Sequence, residues 1–193
     1  FGTRSELLEK IRLGEDGFLE LKEVRFAGDK IRGPSQVDLA DEMAAFANSA
    51  GGVLVLGVED RSREVVGVPL ERLDALESLV REACEQSIKP PLAPIIERMT
   101  LPDTGGSEQP VIRIDVSRSL FVHQSPGGYM QRVGSSKRPI PPDQLARLFQ
   151  QRSQSRLIRF DETPVTKAAM ADLDETLWKR FVPSQHHSAP ETV

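Results

Sequence analysis

Apolar positions recur with two different periods along the chain, and each change of period marks an element. Between Ser5 and Leu13, Leu7, Leu8 and Ile11 share one helical face, and Gly14-Glu15-Asp16-Gly17 predicts the end of a short helix. The period then drops to two. In Phe18-Leu19-Glu20-Leu21-Lys22, Leu19 and Leu21 face one way and Phe18, Glu20 and Lys22 the other, as in a strand. Ala27 to Gly33 reads as a polar loop. Ser35 caps the next helix, with Asp38 in the reciprocal position of a capping box, and Leu39, Ala40, Met43, Ala44, Phe46 and Ala47 form its apolar face. Asn48-Ser49-Ala50-Gly51-Gly52 ends that face, and Val53 to Val58 emerges as a nearly continuous buried strand.

Arg61 to Arg63 predicts a turn into a brief strand, Val65 to Val68. A helical region from Pro69 to Ser87 carries Leu73, Leu76, Leu79, Val80 and Ala83 toward a sheet, and Pro90, Pro91 and Pro94 stop it. Ile95 to Leu101 and Val111 to Val116 read as strands flanking the turn-rich segment from Pro102 to Pro110. Leu120 to Gln124 and Tyr129 to Val133 read as a further pair around Pro126-Gly127-Gly128. After Pro141 and Pro142, Leu145, Leu148 and Phe149 are expected to dock while Arg147, Gln150 and Arg152 stay accessible. Val165 to Phe181 predicts one more helix, and the tail from Pro183 is expected to be disordered. The elements predict an α/β fold of the α+β kind, a compact mixed β-sheet packed with helices, with strand order left open.

Composition narrows the picture. The 193 residues, 38% hydrophobic, suffice for one principal domain with a small helical extension. Lys and Arg number 25 against 29 Asp and Glu, a formal charge of -4, so any nucleic-acid site must be local. The single cysteine, Cys84, falls in an apolar pattern that suits a small buried thiol better than a nucleophile or metal ligand. No apolar run approaches the roughly 20 residues of a membrane helix, and no cationic segment leads into an apolar one. A cytoplasmic protein without a membrane partner is therefore expected. The chain begins at Phe1 and not at a methionine, as an excised fragment would. His123, His186 and His187 lack the spaced co-ligands of a zinc site, and no glycine cluster has P-loop order, so no ATP site is expected.

Three runs carry a family resemblance: Phe18 to Lys22; Ala44 to Gly52 with Val55-Leu56-Gly57-Val58-Glu59-Asp60; and Tyr129-Met130-Gln131-Arg132-Val133-Gly134-Ser135-Ser136-Lys137-Arg138. Together they resemble the AlbA domain of the Schlafen group, which includes bacterial proteins assigned DNA binding and relatives with ribonuclease activity. The resemblance implies an AlbA-like domain over 15–138 with a helical extension over 139–182; helical spacing places an N-terminal helix over 1–14, and the tail runs over 183–193.

DNA is the partner the resemblance implies, RNA the next. Gly134-Ser135-Ser136 can present backbone donors and hydroxyls to phosphate beside Arg132, Lys137 and Arg138, or these residues form an ordinary solvated turn. Arg25, Lys30 and Arg32 join them if the first loop folds toward that turn. Tyr129 is the expected base contact, whereas Phe18, Phe46 and Phe149 fit core positions. The binding reading needs no cofactor. The alternative implied by the resemblance is a ribonuclease dependent on Mg²⁺ or Mn²⁺, held by Glu15, Glu20 and Glu59, with Lys22 stabilising phosphate charge and Asp60 competing with Glu59 for the inward position. An assembly module, with a homodimer as its simplest form, is the third reading.

Overall fold

In the computed structural model, residues 2–157 are described; the helix expected over Val165 to Phe181 and the tail from Pro183 lie outside them. Helix α1 (Arg4–Leu13) starts on a full capping box between Thr3 and Glu6. Strand β1 (Leu19–Lys22) follows, then a hairpin of β2 (Arg25–Ala27) and β3 (Lys30–Gly33), and helix α2 (Gln36–Asn48). After β4 (Gly51–Leu56) come a 3-10 turn (Leu70–Arg72), α3 (Leu73–Glu82) and a π-turn (Ala83–Ser87). The long strands β5 (Ile95–Pro102) and β6 (Glu108–Ser117), the short ones β7 (Met130–Val133) and β8 (Ser136–Pro139), and α4 (Pro142–Leu157) complete the described part.

The main sheet has the order β1-β4-β6-β5, with β1 parallel to β4 and the other pairs antiparallel. Strand β4 is apolar on both faces because both are covered. Leu54 and Leu56 pack with α2 and α3, while Val53 and Val55 pack with Leu19, Leu21 and, from α1, Leu7 and Ile11. Helix α2 is enclosed from Leu39 to Asn48. Its fully buried Leu39, Met43 and Phe46 each contribute about 1.5–3 kcal/mol of apolar burial. The Ser35–Asp38 capping box is present in full.

Several expectations are corrected. Residues 27–33 are not a loop: Phe26 and Ile31 pair across a two-residue turn at Gly28-Asp29 and close the β2–β3 hairpin onto the core. The segment from Val65 to Val68 makes a single bridge, Val58 to Val65, because Gly57 and Gly67 take positive φ and bend the chain out of ladder geometry. Residues 120–124 do not pair with 129–133. Met130–Val133 pairs instead with Ser136–Pro139, since the two-residue turn Gly134-Ser135 closes a far shorter loop than the Pro126 segment. Phe46 is buried as expected, but Phe18, just before β1, and Phe149, on α4, are exposed. Arg152, expected in solvent, is buried and donates to the carbonyls of Phe121, Ala47 (3.2 Å) and Asn48 (2.7 Å), tying α4 to the C-terminal end of α2.

Candidate functional site

The strand period that sends Leu19 and Leu21 toward α1 sends Glu20 toward α2. Glu20 is buried there, and so is Glu42, on the enclosed stretch of α2. Two carboxylates removed from water need cations. Arg132 of β7 supplies one: Nη1 donates to Glu20 Oε2 at 2.8 Å and Glu42 Oε2 at 2.9 Å. Its Nη2 donates to the carbonyls of Asp16 at 3.0 Å and Ser135 at 3.1 Å, and the guanidinium lies over Phe46, 4.8 Å from the ring centroid.

Two lysines close the cluster on its solvent side. Lys22 Nζ donates to Glu20 Oε1 at 2.5 Å and stands 3.5 Å from Glu42 Oε1, and Lys137 Nζ reaches the same Glu42 oxygen at 3.2 Å. Their side chains remain 29% and 26% exposed, so three cations meet two buried carboxylates and two of the three touch water. Burial alone would depress the Lys22 ammonium, but Glu20, Glu42 and Glu15 outweigh it and hold its pKa above the ordinary value. Lys22 also lines, with Arg25, Asp38, Glu59, Asp60 and Arg61, a cleft of about 480 Å³.

The basic residues singled out in the sequence therefore divide. Arg132 is not on the exposed turn; it is the inner cation of the cluster, so no phosphate contact from it follows. Lys137 joins Lys22, and Arg25 lines the same cleft as Lys22. Lys30 and Arg32 line a different groove, against Ala75, Ser78 and Leu79 of α3. Ser135 sits in the hairpin turn with its carbonyl bound to Arg132, and Ser136 and Arg138 are exposed on β8. Tyr129 packs edge-on against Phe149 at 5.7 Å.

The acidic residues also divide. Glu15 Oε1 accepts the Leu21 N–H at 2.9 Å, and Glu59 Oε2 is turned into its own loop, accepting from Ser62 N at 2.5 Å. Burial pushes the Glu15 carboxyl above its ordinary pKa, opposed by the Leu21 N–H and Lys22 and reinforced by Glu20 and Asp60. Of the adjacent acids, Asp60 rather than Glu59 is thus the one whose charge Glu15 feels. Glu20, Glu15 and Glu59 each already hold a protein donor. Among the described residues, no three His, Cys, Asp or Glu side chains are grouped to hold a metal ion. The arrangement does not fit Mg²⁺ or Mn²⁺, and no catalytic step follows from it. Burial pushes the Cys84 thiol up to about 12, which leaves it protonated and inert.

Sequence reasoning missed Glu42 and Asn48. The signal for Glu42 was a carboxylate inside an otherwise apolar helix, where only a paired charge is tolerated. Asn48 Nδ2 donates to the carbonyls of His123 at 2.7 Å and Met130 at 2.9 Å, and its Oδ1 accepts from His123 N at 2.8 Å, fastening β7 beside α2.

A mixed β-sheet packed against helices is consistent with an AlbA-like α/β architecture. The chain belongs to the Schlafen, AlbA_2 family, whose model matches residues 15–141. Among solved structures it is similar to the crystal structure of the DIP2311 protein from Corynebacterium diphtheriae, at 25% identity and a TM-score of 0.48, over 70% of this chain and 29% of that one. The chain thus spans less than a third of that protein's length. Among the described residues, no helix is long and apolar enough to cross a membrane.

Proposed function

We propose that the chain is a nucleic-acid-binding domain with DNA as its partner, in which Lys22 and Lys137 hold a backbone phosphate at the mouth of the ion cluster. The observation that carries this reading is the convergence of two ammoniums, from distant parts of the chain, on one oxygen of Glu42 at 3.5 and 3.2 Å. A phosphate oxygen takes the place of the Glu42 oxygen as their shared partner when the lysines turn toward it, while Arg132 keeps that acid paired. Arg25 on the cleft and Arg138 beyond Lys137 are exposed and form no ion pair among the described residues, and they are the further cations that this reading assigns to the phosphate backbone. Such contacts position a nucleic acid without reading its sequence. Membership of the Schlafen, AlbA_2 family is consistent with a DNA-associated role.

The test is a titration of labelled duplex DNA, single-stranded DNA and folded RNA across a salt series. Replacing Arg25, Lys137 and Arg138 together by alanine is expected to weaken binding and to lower the slope of log K against log salt by about 0.9 for each duplex phosphate that is no longer neutralised. Isotherms unchanged in the triple variant would overturn this surface as the binding face. Adding Mg²⁺ or Mn²⁺ to the RNA arm, beside EDTA, reads the metal-dependent endoribonuclease alternative directly: products that EDTA abolishes would put it ahead. Light scattering over a wide concentration range reads the homodimer.

A further inference from the structure

The segment that follows β6 wraps a buried guanidinium that no acid compensates. Arg152 is 5% exposed, its donors go to the neutral carbonyls of Phe121, Ala47 and Asn48, and its Nε has no partner among the described residues. The Ala47 carbonyl is shared. Ser119 N donates to it at 3.0 Å and Arg152 Nη2 at 3.2 Å, which sets the guanidinium against the backbone next to Arg118. Arg118 is exposed, and among the described residues its side chain has neither an ion-pair nor a hydrogen-bond partner. Asp115, which lines a cleft with it, is already held by Arg113 through two hydrogen bonds of 2.8 Å. Burial, and behind it the Arg118 charge, hold the Arg152 guanidinium below its ordinary pKa. The carbonyls at the end of α2 carry only partial negative charge, so two like charges stand together without a carboxylate. Beside them, Arg118, Ser119 and His123 line a cleft of about 200 Å³ walled by Pro91, Leu92 and Pro94.

We propose that this cleft binds a phosphate group, held by the fork of Arg118 with the charge of Arg152 behind it. Two guanidiniums side by side without an acid lack two negative charges, and a phosphate monoester brings about 1.5–2 at pH 7. The planar fork of Arg118 matches two phosphate oxygens at once, a geometry that a chloride ion cannot use. The apolar wall of prolines and Leu92 keeps water from one side of the pair and strengthens the attraction. The cleft has room for such an anion together with several waters. The site shares no residue with the lysine pair and stands or falls apart from it. The phosphate is that of a small phosphorylated compound or of the end of a nucleic-acid strand, since both present the same monoester.

The experiment titrates inorganic phosphate into the intact chain by calorimetry, with chloride at matched ionic strength and acetate as controls. Arg118→Gln is expected to weaken phosphate binding about tenfold or more, the loss that follows removal of a charge-assisted fork, and Arg118→Lys to recover part of it. Because it removes a like charge beside Arg152, Arg118→Gln should also raise Tm in chloride by about 1–3 °C, whereas phosphate should raise the Tm of the wild type far more than that of the variant. Lys137→Ala should leave phosphate affinity at this cleft within about twofold. An oligothymidylate with and without a 5′-phosphate separates the two sources: a gain in affinity that Arg118→Gln abolishes assigns the strand end, and no gain assigns a small compound. Phosphate binding that is absent, no stronger than that of acetate, or unchanged in Arg118→Gln overturns the site. So does a fall in the Tm of Arg118→Gln in chloride, which would show that the arginine serves the fold. Binding lost in Lys137→Ala and kept in Arg118→Gln places the phosphate on the lysine pair instead, overturning this site and leaving the other standing.

Discussion

Replacing Arg132 by alanine tests the ion cluster most directly. The side chain is 2% exposed and satisfies two carboxylates, each 5% exposed, together with two carbonyls. Breaking a buried pair by removing one partner typically costs about 3–5 kcal/mol, because the partner keeps its desolvation cost. Lys22 and Lys137 still hold one oxygen each of Glu20 and Glu42, which favours the lower half of that range. Removing the guanidinium from the face of Phe46 adds about 0.5–1 kcal/mol. The expected loss is therefore about 4 kcal/mol, or about 8–16 °C in Tm for a chain of this size.

Urea and thermal unfolding followed by circular dichroism read that loss. Arg132→Lys keeps the charge but not the fork that spans both acids, and should recover only part of it. Arg132→Met combined with Glu20→Gln and Glu42→Gln removes the charges along with their partner and should regain at least half of it. A loss below about 1 kcal/mol for Arg132→Ala, or no recovery in the triple variant, would refute the account of the cluster.

His123 is buried, with Nδ1 donating to the Pro90 carbonyl at 2.7 Å and Nε2 2.6 Å from Ser119 Oγ. Burial, with Arg152 nearby, lowers its pKa from 6.5 despite the Pro90 carbonyl, so its contribution is present above 6.5 and lost as pH falls through the folded value. Stability measured from pH 7.5 to 5 should fall less steeply in His123→Gln than in the wild type; parallel profiles would contradict this. Glu15 shifts upward, so its ionised form opposes folding at neutral pH. Glu15→Gln, which keeps an acceptor for Leu21 N, should raise Tm at pH 7 by an amount worth less than about 1 kcal/mol, a gain that shrinks below pH 4.5; a lower Tm at pH 7 counts against it. Arg152→Ala frees three carbonyls, those of Ala47 and Asn48 buried, and should cost about 3 kcal/mol while accelerating proteolysis within residues 142–157; unchanged cleavage there would mean that α4 is held by other contacts.

The elements legible in the sequence are those whose apolar pattern is set by burial on a known number of faces. Strand β4 is covered on both sides and reads as a continuous run, and α2 announces itself by its cap and its apolar stretch. The β2–β3 hairpin was not legible, because seven residues alternating only at Phe26 and Ile31 carry too little period to distinguish a ladder from a polar loop. Phe18 was misjudged for a related reason. Alternation assigns a side chain to one face of a sheet, but how far the covering helices extend over that face is decided by the packing of distant segments. The pairing of Arg132 was equally hidden: Glu20 lies 112 positions away and Glu42 90, and a basic residue beside a glycine-serine turn gives no sign that it points inward.

That inward arginine also bears on why the lysines suit a phosphate. If Lys22 and Lys137 were the only partners of Glu20 and Glu42, turning either toward a ligand would leave a buried carboxylate uncompensated, at a cost of several kcal/mol set against binding. Arg132 removes that conflict. Its Nη1 holds one oxygen of each acid from the core side, at 2.8 and 2.9 Å, so both stay paired while the lysines exchange the remaining oxygens for a phosphate. On the proposed reading, the core needs the arginine and the phosphate site needs the lysines. Lys137→Ala should therefore weaken nucleic-acid binding with a loss of stability well under that of Arg132→Ala; two variants equal in both measurements would show that the cluster does not divide in this way.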